Sequence, residues 1–89
     1  MKAIHELIPP DRVQINGAWF QVVRTTSTWY HADRRELEMA IELAKVGDPR
    51  LFPRHRLTYV RERPGDLAFF SFDERSQAFR KQRLDAISW

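Results

Sequence analysis

The sequence predicts an α+β fold: a four-stranded antiparallel sheet with two helices on one face, in the order ββαββα. Three observations predict it. Asn16-Gly17 stands between two runs rich in β-branched and aromatic residues, and both positions of a two-residue type I′ hairpin need φ > 0, which this dipeptide tolerates best. Asp33 with Glu36 three residues later reads as the capping box of a helix. Pro64-Gly65 divides a second pair of strand-like runs. A chain of 89 residues falls within the size of one domain. The expected layout is a lead-in over residues 1–11 and a single α+β domain over 12–89.

The lead-in ends at Pro9-Pro10, and Lys2–Ile8 has the spacing of a single helical turn with Ile4, Leu7 and Ile8 on one side. Such a turn is too short to stand alone. The Asn-Gly hairpin pairs Ile15 with Ala18, Gln14 with Trp19, Val13 with Phe20 and Arg12 with Gln21. One face then carries Val13, Ile15, Ala18, Phe20 and Val22 and meets the core; the other carries Arg12, Gln14, Trp19, Gln21 and Val23. Ser27–Ala32 is a connector, with Trp29 and Tyr30 as core lids. A helix follows to about Val46, because Leu37, Ala40, Ile41 and Ala44 recur at i, i+3, i+4 and i+7. Gly47 and Pro49 stop it.

Strands are predicted over Arg56–Arg63 and Leu67–Phe72. Placing Arg63 opposite Asp66 pairs Val60 with Phe69, Tyr59 with Phe70 and Leu57 with Phe72. Phe69 then faces outward beside Trp19, and Leu57, Tyr59, Ala68, Phe70 and Phe72 face inward. Asp73 caps a last helix from Glu74 to about Ile87. The order can be read as two ββα units, although no residue-level repeat accompanies it. It also fits a rearranged ferredoxin-like plait, whose helix-free face would display Trp19 and Phe69.

Composition narrows the chemistry. There is no Cys, which excludes disulfides, thiolate metal sites and a Cys nucleophile. No apolar run reaches the ~18 residues of a membrane span, and residues 1–10 lack the pattern of a signal peptide. A cytoplasmic protein without cofactor or membrane partner is expected. Of 15 basic residues 12 are Arg, and the net charge of +3 divides into −1 over residues 1–48 and +4 over 49–89. Arg forks suit carboxylates and phosphates, so an anion-binding surface is expected from the second half.

The candidate binding residues are therefore Trp19 and Phe69 on the open face, with Arg54, Arg56, Arg61, Arg63, Arg80 and Arg83 around them. The stretch Leu67-Ala68-Phe69-Phe70-Ser71-Phe72, followed by Asp73-Glu74 and Ala78-Phe79, resembles the third strand and second helix of RNA-recognition-motif domains. Ala68, Phe69 and Phe72 match the RNP1 pattern, while its basic residue, Gly and first ring are missing here. The resemblance implies bases stacked on exposed rings.

The expected function is that of a small non-catalytic binding protein. Its Arg/aromatic surface would engage nucleic acid or a nucleic-acid-handling protein. The alternative is a regulator or inhibitor of the mobile-element accessory type, acting by direct protein contact, with a homodimer as one expected assembly. A third reading is a small toxin-like ribonuclease using His31 or His55 and Tyr59, although no catalytic or metal motif selects one.

Overall fold

The computed structural model describes residues 2–30 and 35–89. It is a curled half-barrel of seven antiparallel strands: β1 (Arg12–Ile15), β2 (Ala18–Tyr30), β3 (Glu36–Lys45), β4 (His55–Val60), β5 (Arg63–Asp73), β6 (Ala78–Gln82) and β7 (Ile87–Ser88). A 3-10 turn, Ile4–Glu6, precedes them. The sheet order is β6-β5-β4-β3-β2-β1-β7, a meander whose last strand returns to the first. The expected α+β fold of four strands and two helices, plait included, is overturned: no α-helix occurs among the described residues.

The first hairpin follows its local chemistry. Asn16 and Gly17 take φ of 50° and 85°, and the four expected pairs, Arg12–Gln21 to Ile15–Ala18, all form. The expected first helix is instead β3, paired with β2 on one side and β4 on the other. Leu37, Met39, Ile41 and Leu43 alternate with Glu36, Glu38, Ala40 and Glu42, a period of two that points one row at the core. Helix-forming Glu, Leu, Ala and Met set only a weak preference, and two flanking ladders override it. The proposed cap Asp33 lies outside the described residues.

The expected last helix is also absent. Asp73 does accept local hydrogen bonds, from the Arg75 amide (3.0 Å) and the Ser76 hydroxyl (3.1 Å). They close a turn over residues 74–77 rather than a helix start, with Gln77 at φ 54°, and β6 folds back onto β5. Asp side chains serve both ends through the same bond.

The second hairpin turns at Arg61-Glu62, where Val60 pairs with Arg63, and not at Pro64-Gly65. An irregularity opposite Tyr59 absorbs Pro64 to Leu67, and Leu57 pairs with Phe69 where Phe72 was expected. That shift of three residues is odd, so it exchanges the faces of β5. Phe69 enters the core, and Phe70 and Phe72 leave it.

The concave side holds one apolar cluster. Val13, Ile15, Phe20, Val22, Ile41, Leu43, Leu57, Tyr59 and Phe69 come from the strands, and Ile4 and Leu7 from the lead-in. The lead-in turn is thus part of the core. Glu6 ties it locally, its carboxylate accepting from the Ala3 amide at 3.0 Å. Curling has a simple cause. Flat, seven strands would set the outer two about 29 Å apart, yet only residues 83–86 join β6 to β7, and five residue steps reach about 17 Å. Asn16 fastens this closing segment. Its side-chain amide donates to the Arg83 carbonyl (2.7 Å), and its oxygen accepts from the Asp85 and Ala86 amides (2.8 and 3.2 Å).

Candidate Arg/aromatic surface

Strand alternation decides which side chains reach the convex face. His55, Leu57 and Tyr59 point inward from β4, so Arg54 and Arg56 point outward. On β5, Phe70 and Phe72 are the outward residues, and the β5–β6 ladder sets Lys81 and Phe79 beside them. One row crosses five strands in register: Arg24, Glu42, Arg56, Phe70 and Lys81.

Rings and guanidinium groups interleave along this face. Arg56 lies 4.2 Å over the Phe79 ring. Phe79 packs edge-on against Phe72 at 5.6 Å. Arg54 covers Phe72 at 5.5 Å and Phe52 at 5.8 Å, and Arg50 approaches Phe52 at 5.4 Å. Such contacts hold guanidinium planes over ring faces. Phe52, Arg54, Phe72 and Phe79, with Pro53, Glu74 and Gln77, line a cleft of about 390 Å³. Glu74 pairs with Arg54, so the cleft carries a carboxylate as well as cations.

Buried Glu42 organises the other end of the row. Its carboxylate takes Arg24 Nε at 2.6 Å and Arg56 Nη2 at 3.5 Å. The Arg24 hydrogen bond above all holds Glu42 below the usual glutamate range, against the opposing effect of its burial, and Glu42 in turn raises Arg24. Arg56 is thereby fixed between Glu42 and Phe79. Its Nε is buried with no hydrogen-bond partner among the described residues.

Of the residues expected from sequence, Arg54 and Arg56 belong to this cluster. Trp19 is 47% exposed on β2 and faces away from the core, but no contact joins it to these rings among the described residues. Phe69 is a correction. It is 6% exposed and packs on Phe20 and His55 at centroid distances of 5.7 and 5.9 Å. The likeness to an RNA-recognition motif fails there too, since a turn and a strand follow Phe72 where that motif has a helix. Arg61 sits at the β4–β5 turn with Glu62 (3.1 Å). Arg63 pairs with Glu36 (3.2 Å) and Asp66 (3.7 Å), and Glu36 raises its pKa. Arg80 lies opposite Ser71 on the concave side, 3.8 Å from Asp73. Arg83 lies in the closing segment with Asp85 at 2.7 Å. Arg80 and Arg83, expected on the last helix, lie instead on β6 and just after it.

Of the residues considered for general acid–base chemistry, His55 and Tyr59 both lie on β4. His31 lies outside the described residues. His55 is half-buried, bonded through Nδ1 to the Ser71 hydroxyl at 2.9 Å and edge-on to Phe20 at 4.7 Å. Burial, then Lys45, lowers its pKa. Tyr59 is buried, which raises its pKa. No cluster of three His, Asp or Glu among the described residues is arranged to hold a metal ion. No helix among them is long and apolar enough to cross a membrane.

Phe52 and Phe79 are absent from the candidate residues read from sequence, and Phe72 was expected to face inward. The signal was present in sequence as alternation within Phe70-Ser71-Phe72 and Ala78-Phe79-Arg80, but only the true register of β5 says which residues face out. Comparison with known proteins returns no match: no family model, curated protein or solved structure is similar to this chain.

Proposed function

We propose that this protein is a non-catalytic binding module whose convex face holds single-stranded nucleic acid. The interleaving of Phe52, Phe72 and Phe79 with Arg50, Arg54 and Arg56 is the observation that supports this reading. Rings offer stacking platforms to unpaired bases at ~1–3 kcal/mol each, and arginines neutralise the backbone. A duplex hides its base faces, so the same surface favours single strands.

Titration of labelled single-stranded RNA, single-stranded DNA and duplex DNA at two salt concentrations tests it. Single strands should bind most tightly and lose affinity as salt rises. Phe79→Ala should weaken binding by roughly 5- to 150-fold, the equivalent of one lost stack. Absence of binding to any strand at low salt overturns the proposal.

A second reading is a protein-binding regulator. It draws support from Phe52, 43% exposed at the cleft, since rings and arginines dominate protein hot spots. A partner complex that survives nuclease treatment and high salt favours it.

A further inference from the structure

We propose that β2 is a dimerisation edge, along which a second copy of this chain pairs antiparallel, β2 to β2, through Arg24–Thr28. This goes beyond the nucleic-acid reading and is independent of it.

Backbone geometry supplies the first argument. β1 covers β2 only as far as Gln21, with one further bond from the Val22 amide to the Asp11 carbonyl at 2.8 Å. A bulge at Val23 then turns β2 away. From Val23 to Tyr30 no described strand lies on that side. The opposite side of β2 is fully paired with β3, and β3 is covered in turn by β4, up to the Arg61 amide bonded to the Leu37 carbonyl at 2.9 Å. β2 therefore forms the open rim of a three-stranded extension. Every second residue along it directs an N–H and a C=O outward.

Side chains supply the second. Arg24, Thr25, Thr26, Ser27 and Thr28 are all exposed. Thr has high strand preference, and none of these residues is Pro, Lys or an acid. The single charge is balanced within its own chain, Arg24 by Glu42 at 2.6 Å. The other long edge is built differently: β6 is five residues long and carries Arg80 and Lys81, the usual defence against unwanted pairing. One edge is guarded and the other is not.

The neutral row of hydroxyls complements itself, with its one charge paired internally, and so suits a second copy as occupant. Antiparallel partners must present the same backbone orientation, so the two-fold axis passes through a residue and not between two. With the axis on Thr26, Thr26 meets its own copy and Thr25 meets Ser27, hydroxyl against hydroxyl, which stabilises cross-strand contacts, and Arg24 faces Thr28. This register does not place Arg24 opposite Arg24.

The absence of native Cys makes the test clean. Sedimentation equilibrium of the full chain should show a concentration-dependent dimer. The double variant Thr26→Lys/Thr28→Lys should weaken it about tenfold or more through like charges across the seam, with an unchanged circular dichroism spectrum. Single Cys variants at Thr25, Thr26, Ser27 and Thr28 should cross-link most readily at the one nearest the axis, and Lys81→Cys should not. A monomer at all concentrations up to about 1 mM overturns the proposal. So does a dimer indifferent to the lysines, or equal cross-linking at Lys81→Cys. Nucleic-acid binding by a monomer would leave the convex-face reading intact while this one fell.

Discussion

Phe69 and Phe72 lie three residues apart on β5, yet one is buried beside Phe20 and His55 while the other meets Arg54 and Phe79 on the convex face. Their chemistry is identical, and the parity of the strand alone separates them. The same parity sorts the cations. Arg54 and Arg56 stand among rings, while Arg80, also on a ring-bearing hairpin, is turned to the other side. A surface of this kind depends less on how many arginines the chain has than on the register that aims them.

Truncation should separate the two faces most strongly. Phe69→Ala removes a buried ring and should cost about 3–5 kcal/mol of folding stability, measured by urea unfolding. Phe72→Ala, losing a half-buried ring, should cost markedly less. Equal losses would mean that the convex rings are core.

Acid should separate the faces in sequence. His55 on the concave side has a lowered pKa. Its stability contribution is full above about pH 6.5, the ordinary histidine value, and is lost as pH falls through its folded value. Glu42 on the convex side is also lowered. Its contribution is present above the ordinary glutamate value of about 4.5 and is lost as pH falls through its own folded value. Stability measured against pH should thus decline in two stages, the first abolished by His55→Gln and the second by Glu42→Gln.

The smallest effect concerns charge alone. Arg54→Ala should lower the dependence of log affinity on log salt for single-stranded RNA by about one, with little change in stability. An unchanged slope would show that Arg54 touches no phosphate.

Local chemistry made the first hairpin legible: Asn16-Gly17 set both turn and register. It made less of β3 legible, since Leu37, Ala40, Ile41 and Ala44 trace a helical stripe through the same residues whose alternation builds a strand. Only neighbours on both sides decide between those patterns. Asp73 read as a helix cap and closes a turn instead, because its carboxylate bonds the same way in both. Arg54 and Arg56 were legible as a basic run. Phe52, Phe72 and Phe79 were not, since the β4–β5 register rests on a two-residue turn at Arg61-Glu62 and an irregular stretch after it, both overshadowed by Pro64-Gly65.

The Asn16 clasp also sets an order of events. The β1-to-β6 hairpins join neighbours in sequence and can zip up locally. The clasp joins residues 67 to 70 positions apart, so it bears more loop-closure entropy than any of those hairpins, and it adjoins a β7 of only two residues. Closure of this end should therefore follow the zipping of the hairpins. Hydrogen exchange should be faster at the Asp85 and Ala86 amides, which this clasp holds, than in the paired hairpin of β5 and β6.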